Sequence, residues 1–213
     1  MTGSGIALLA GMLIAIGAHA GLDDLPARLI EAMTRKFGPE VPQRLASWQR
    51  VLRQGAEGSE QRELQLANRY FNAIPYFRDA DHWMVSDYWA SPVETVSSHG
   101  GDCEDYAIGK YFTLKERRIP LDKLRITYVR HLALKESHMV LVYYPTPDAD
   151  PLVLDNLTGD IQPASRRTEL APVYSFNDED VRGMEGGERN LGSPRQIRLW
   201  SGLLNRMERE YRP

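Results

Sequence analysis

The only cysteine of the 213-residue chain lies in the string Gly100-Gly101-Asp102-Cys103-Glu104-Asp105-Tyr106. A glycine pair followed by helical periodicity puts that thiol where a loop becomes a helix. At such a junction the unpaired backbone N–H groups and the positive end of the helix dipole favour a thiolate and can hold an oxyanion. Glycine just before the helix lets another backbone approach closely. The bland alternative for Cys103 is a small buried apolar side chain. A single cysteine excludes an intramolecular disulfide and a cysteine-built zinc cluster.

Two further residues raise the chemical reading above the bland one. His138 opens a stretch with strand character, and Asp155 closes the next. If the two strands pair as a hairpin across the Pro145–Pro151 turn, both residues come to the same end of the sheet. An imidazole near a thiol makes a thiolate–imidazolium pair, and a carboxylate holds the ring in its working tautomer. His131 is the main competitor for the imidazole role. His19, His82 and His99 are weaker partners.

The elements that must position these residues are readable in outline. Asp23 and Asp24 predict a cap for a helix that starts near Pro26, and Leu25, Leu29, Met33 and Phe37 fall four apart on one stripe. Leu45, Trp48 and Leu52 make a second stripe, and Leu64, Ala67, Tyr70, Phe71 and Ile74 a third. Residues 76–101 read as irregular. A helical pattern runs from Asp102 to about Arg118. The period then changes to two over Leu124–Val129, with further strands at His138–Tyr144, Leu152–Asp155 and Val173–Phe176. Gly183–Gly192 reads as a mobile loop, and Gln196–Glu210 as a closing helix. Helices followed by consecutive strands predict an α+β fold with a mostly antiparallel sheet and the nucleophile at a helix N-terminus.

Composition narrows the class. With 26 basic and 29 acidic residues the formal charge is −3, which argues against a nucleic-acid binder. The stretch Lys115–Lys135 carries seven basic residues against two acidic ones. It reads as a solvated helix end, or alternatively as a contact patch for an acidic partner. The length predicts one domain, residues 21–213. Ahead of it, the apolar run Ile6–Ala18 is too short to span a bilayer. It ends in Ala18-His19-Ala20, so residues 1–20 are expected to be a signal peptide, although no Lys or Arg precedes Arg28.

Several blocks together resemble a known family. They are Asp87-Tyr-Trp-Ala-Ser-Pro-Val-Glu94, Gly101-Asp-Cys-Glu-Asp-Tyr-Ala-Ile108, Lys110-Tyr-Phe-Thr-Leu114, Ser137-His-Met-Val-Leu141 and Pro151-Leu-Val-Leu-Asp-Asn156. Over roughly residues 60–178 the chain resembles the bacterial transglutaminase-like cysteine proteinases. The resemblance implies a papain/transglutaminase-like fold, with Cys103 as nucleophile, His138 as general base and Asp155 as the orienting acid. It also implies a periplasmic, calcium-requiring endopeptidase that cleaves a large surface adhesin near its N-terminus, after two alanines, and so releases cells from a biofilm. An inner-membrane receptor that senses cyclic di-GMP is the implied inhibitor.

The acidic residues around the thiol agree with calcium. Asp102, Glu104 and Asp105 should raise the Cys103 pKa by like-charge repulsion, the wrong direction for catalysis. A divalent cation reverses that sign, and hard oxygen ligands select calcium over zinc. Helical spacing lets these carboxylates face away from Cys103 while they grip a neighbouring loop. Glu104 and Asp105 are also ordinary first-turn residues of a helix. Trp83, Tyr88 and Trp89 line a substrate cleft, supply an indole N–H, or pack in the core; Trp89 is the candidate substrate-binding residue. Two further functions remain open at this level: acyl transfer to an amine by the same three residues, and a non-catalytic peptide-binding or signalling domain with a structural cysteine.

Overall fold

A computed structural model describes residues 22–54 and 58–211; the expected signal peptide, residues 1–20, lies outside them. Three helices come first, α1 (Ala27–Phe37), α2 (Val41–Arg53) and α3 (Glu60–Asn72). Their stripes turn inward as the spacing predicts, with Leu29, Leu45, Trp48, Leu64 and Phe71 buried. The predicted cap of α1 is absent: Pro26 takes the capping position and no side chain bonds there.

The segment expected to be irregular contains two short helices, α4 (Asp79–His82) and α5 (Pro92–Ser98). Helix α5 begins on a reciprocal cap. Ser91 Oγ accepts the Glu94 N–H, and the Glu94 carboxylate accepts the Ser91 N–H. Ser-Pro-Val-Glu is the sequence form of that box. His99 ends α5 in the left-handed region at φ 58°, and Gly100-Gly101 leads into α6 (Cys103–Glu116).

Helix α6 is the centre of the molecule. Every residue from Asp105 to Leu114 is buried, as expected for a helix enclosed on all sides. It packs against α3, α5 and the sheet. The strands are β1 (Leu124–His131), β2 (Glu136–Tyr143), β3 (Leu152–Leu154), β4 (Gln162–Pro163), β5 (Leu170–Phe176), β6 (Val181–Gly183) and β7 (Arg189–Gly192). Their order is β4-β3-β2-β1-β5-β6-β7, and every neighbouring pair is antiparallel. Alternation sorts the two faces. Met139, Leu141, Tyr143 and Leu154 join the main core, whereas Val140, Val142 and Val153 join Val129 in a smaller cluster on the other side. Helix α7 (Arg198–Tyr211) closes the core with buried Trp200, Leu203 and Met207.

Two other expectations change. Gly183–Gly192 is a β6–β7 hairpin, with Gly186 and Gly187 at φ 72° and 109° making its turn. Strand β7 is exposed throughout, so it carries no apolar alternation to announce it. The basic run is only partly solvated: Lys115, Arg117, Lys123, Arg125 and Arg130, five of its seven basic residues, pair with Asp178, Glu63, Glu60, Asp180 and Glu185, and Arg117 and Arg125 are buried. Among the described residues no helix is long and apolar enough to cross a membrane.

Candidate active site

Cys103 is the first residue of α6 and Asp102 is its N-cap, with no side-chain capping bond. The approach to the helix needs its glycines. A Cβ on Gly101 would lie 2.6 Å from Asp105 Oδ2, and one on Gly100 would lie 2.7 Å from the His82 and Phe77 rings. Gly101 also bridges to Tyr76, and its carbonyl accepts the Phe77 N–H at 2.9 Å. The turn that leads into Cys103 is thus clamped between the start of α6 and segment 76–77.

The β2–β3 register brings the imidazole and carboxylate together. Leu141 faces Leu154; continuing that register sets Asp155 opposite Val140, one diagonal step from His138. His138 Nε2 lies 2.7 Å from Asp155 Oδ1. Asp155 is fully buried. Its Oδ1 also accepts the Leu157 N–H at 3.0 Å, and its Oδ2 accepts from Arg167 Nη2 at 2.6 Å. Asn72 of α3 fixes the Asp155 backbone carbonyl at 2.8 Å. Burial opposes ionisation of Asp155, but these donors outweigh it and hold the carboxyl well below the usual range. His131 stands 6.3 Å away, ring to ring, and its Nδ1 accepts the Leu134 N–H of its own turn. His138 therefore holds the carboxylate, and His131 does not.

Cys103 and His138 line one open cleft of about 670 Å³, with Asp102, Glu104, Trp89, Tyr128 and Tyr174 among its walls. Trp89 is almost wholly buried and stacks on Phe176 at 5.7 Å. Trp83 and Tyr88 are absent from the cleft wall; their rings pack on each other, and Tyr88 Oη donates to the Glu94 carboxylate.

The acidic collar is closer to the thiol than helical spacing implied. Cys103 Sγ donates to Glu104 Oε2 at 2.9 Å, so Glu104 does not face away. Burial, then the Glu104 charge, push the thiol well above its ordinary range, while the Met139 backbone opposes the rise. Asp102 is pushed up to about 8 by burial and Glu104. Burial and Asp102 push Asp105 well above the carboxylate range. Asp105 Oδ1 accepts the Ala90 N–H at 2.7 Å, but its Oδ2 has no hydrogen-bond partner. Asp79 joins the collar, with burial and Asp102 raising it to about 6.

Oxygens from Asp79, Asp102 and Asp105 lie within 4.8 Å of one another, as do those of Asp79, Asp87 and Glu104. Buried Oδ1 atoms of Asp79 and Asp102 also lack hydrogen-bond partners. An all-oxygen, acidic, under-bonded cluster fits a hard cation such as calcium. Sequence reasoning found Asp102, Glu104 and Asp105 but missed Asp79 and Asp87, which sit in the segment read as irregular. It also missed Asn72 and Arg167 behind Asp155, since only the folded chain brings them there. Asp87 opens the first of the resemblance blocks, which was the available signal.

A cysteine at the start of a buried helix, packed on an antiparallel sheet that carries a His–Asp pair, is consistent with a transglutaminase-like fold. Residues 46–175 match the family model of the bacterial transglutaminase-like cysteine proteinases, and the chain belongs to that family. Among solved structures it resembles Legionella pneumophila LapG at 35% identity and TM-score 0.74, covering 88% of this chain and 97% of that one. The EGTA-treated form of that protein matches at 35% identity and TM-score 0.76, with the same coverage. The calcium-bound form matches at 39% identity and TM-score 0.72, covering 84% and 98%. No curated protein matches the chain. The protein is thus a cysteine peptidase with a LapG-like fold.

Proposed function

We propose that this protein is a calcium-dependent periplasmic endopeptidase that cuts a large surface adhesin near its N-terminus, after two alanines. Cyclic di-GMP would control it through an inner-membrane receptor that sequesters it. The observation that carries the chemistry is a single cleft holding Cys103 at a helix N-terminus and His138 bonded to buried Asp155. Export rests on the Ile6–Ala18 run and the Ala18-His19-Ala20 site. Substrate and receptor rest on the family resemblance.

Because His138 Nε2 is engaged by Asp155, Nδ1 is the ring nitrogen left to handle protons. It takes the thiol proton, and Cys103 Sγ attacks the scissile carbonyl. The carbonyl oxygen becomes an oxyanion against the free N–H groups that begin α6. The imidazolium returns its proton to the leaving amine as the C–N bond breaks, leaving a thioester. His138 then deprotonates water, which releases the acid and restores the thiol. Asp155 keeps the ring in this tautomer throughout. Trp89 forms a rigid wall of the substrate cleft.

Calcium would be held by Asp79, Asp102, Glu104 and Asp105, with Asp87 in reach. Its charge would neutralise the collar that otherwise holds the thiol protonated. The calcium-bound and EGTA-treated forms of the Legionella relative support this reading.

Mass spectrometry of peptides bearing an internal Ala-Ala, digested in calcium and in chelator, tests the proposal. Cleavage after the second alanine is expected in calcium alone, with one ¹⁸O taken from labelled water. Transfer to an added amine without ¹⁸O would identify an acyl transferase. Equal cleavage by Cys103→Ala would discard the mechanism.

A further inference from the structure

We propose that Arg167 is a positioning residue for the Cys103–His138–Asp155 site, acting through the second oxygen of Asp155; this rests on the peptidase reading above. Arg167 follows the short 3-10 turn Ala164–Arg166 and is almost wholly buried. Its guanidinium bonds two carboxylates. Nη2 donates to Asp155 Oδ2 at 2.6 Å, and Nε donates to Glu169 Oε1 at 2.6 Å.

The consequence follows from the donor count. Asp155 Oδ1 serves His138 and the Leu157 N–H, whereas Arg167, among the described residues, makes the one side-chain hydrogen bond to Oδ2. A buried carboxylate held at one oxygen can rotate about its final bond, and His138 then loses its fixed acceptor. A charge-assisted bond to the other oxygen removes that rotation. Glu169, partly exposed, takes the neighbouring Nε and so keeps Arg167 itself from turning. The chain Glu169–Arg167–Asp155–His138 therefore runs from the surface to the ring that serves the thiol. The other cation near Asp155, Lys110 on α6, is fully buried and its Nζ makes no hydrogen bond. Arg167 alone of the two grips the carboxylate.

The test uses the calcium-loaded protein in five forms: wild type, Arg167→Met, Arg167→Lys, Asp155→Asn and the Arg167→Met/Asp155→Asn double variant. The substrate-free readout is the ¹⁵N–¹H signal of His138 Nε2–H. The proposal expects the signal in wild type, its loss to solvent exchange in Arg167→Met, and its recovery in Arg167→Lys. With a fluorogenic Ala-Ala peptide, Arg167→Met should lower kcat about 10- to 100-fold with KM within about twofold. It should add nothing in the Asp155→Asn background, since its effect passes through that carboxylate. An undiminished Nε2–H signal in Arg167→Met, or an equal loss of kcat in both backgrounds, overturns the proposal. If wild type leaves the peptide uncut, the substrate reading fails and the NMR comparison still decides Arg167. If Arg167→Met does not fold, Glu169→Gln takes its place: faster exchange of the same signal supports the proposal, and an unchanged rate refutes it.

Discussion

Asp155 and Asp105 are both fully buried carboxylates near the same cleft, yet their surroundings push them in opposite directions. Asp155 receives donors from Leu157, Arg167 and His138 and is held far below the ordinary range. Asp105 receives one amide, from Ala90, which does not offset its burial, and Asp102, Glu104 and Asp79 add to that burial and hold the carboxyl far above that range. Burial is the same, so burial alone does not decide the charge. The first centre is completed by the chain's own donors. The second is a set of oxygens short of donors, an arrangement that fits an added cation; on the proposal above, one half of the site is permanent and the other half conditional.

The comparison breaks first at its permanent half. Asp155→Asn should lower kcat/KM by about 1,000-fold or more, with the fold retained by circular dichroism, because the ring loses the tautomer the chemistry needs. An effect under tenfold would mean that Asp155 only supports the fold.

The conditional half should answer to calcium instead. In Cys103→Ala, which avoids self-digestion, calcium at 100 times its Kd should add about 2.7 kcal/mol of stability. That corresponds to about 5–10 °C in Tm for a chain of this size. Asp105→Asn should shrink the gap, and Asp79→Asn should weaken calcium binding about tenfold in calorimetry. An unaltered affinity in Asp79→Asn would remove that residue from the ligand set.

Without metal, pH should reveal the same asymmetry. Asp79 and Asp102 keep protons to about 6 and 8 in the folded chain, but release them near 4 when unfolded. The folded state therefore holds more protons across that interval, and their contribution to stability falls as pH rises from about 4 to about 8. Denaturant midpoints in chelator should show the decline, and calcium should flatten it. A metal-free midpoint that climbs over this range contradicts the collar.

The smallest expected effect concerns Lys110, whose pKa burial lowers to about 7 despite Asp155 nearby. The unfolded chain holds that proton to about 10.4, so Lys110 weakens the fold most at and below pH 7 and least near pH 10. Lys110→Met should raise the denaturant midpoint at pH 7, with the gain shrinking toward pH 10. A gain that does not depend on pH would locate its origin in packing alone.

Much of the permanent half was legible in the sequence. Cys103 at a glycine-led helix start, His138 at a strand opening and Asp155 at a strand close follow from local pattern and one hairpin, and the hairpin formed. The conditional half was legible only beside the nucleophile. Asp102, Glu104 and Asp105 are sequence neighbours, whereas Asp79 enters because α4 folds back, with Asp79 Oδ2 accepting the Tyr88 N–H. The helix α5 was also missed, although its Ser91–Glu94 box was written in the sequence. Its brevity hid it, since seven residues carry too few turns to show a period.

Local spacing by itself determined which residues could react, where helices gave way to strands, and the α+β class, because these depend on periodicity and on residues close in the chain. Tertiary structure decided which oxygens surround the thiol, that Glu104 turns toward Cys103, and that Arg167 and Asn72 stand behind Asp155. Those outcomes join residues up to 83 positions apart, and no periodicity reports them. They arise only when α3, α6 and the sheet close on one another and each buried polar atom must take whatever partner the packing leaves within reach.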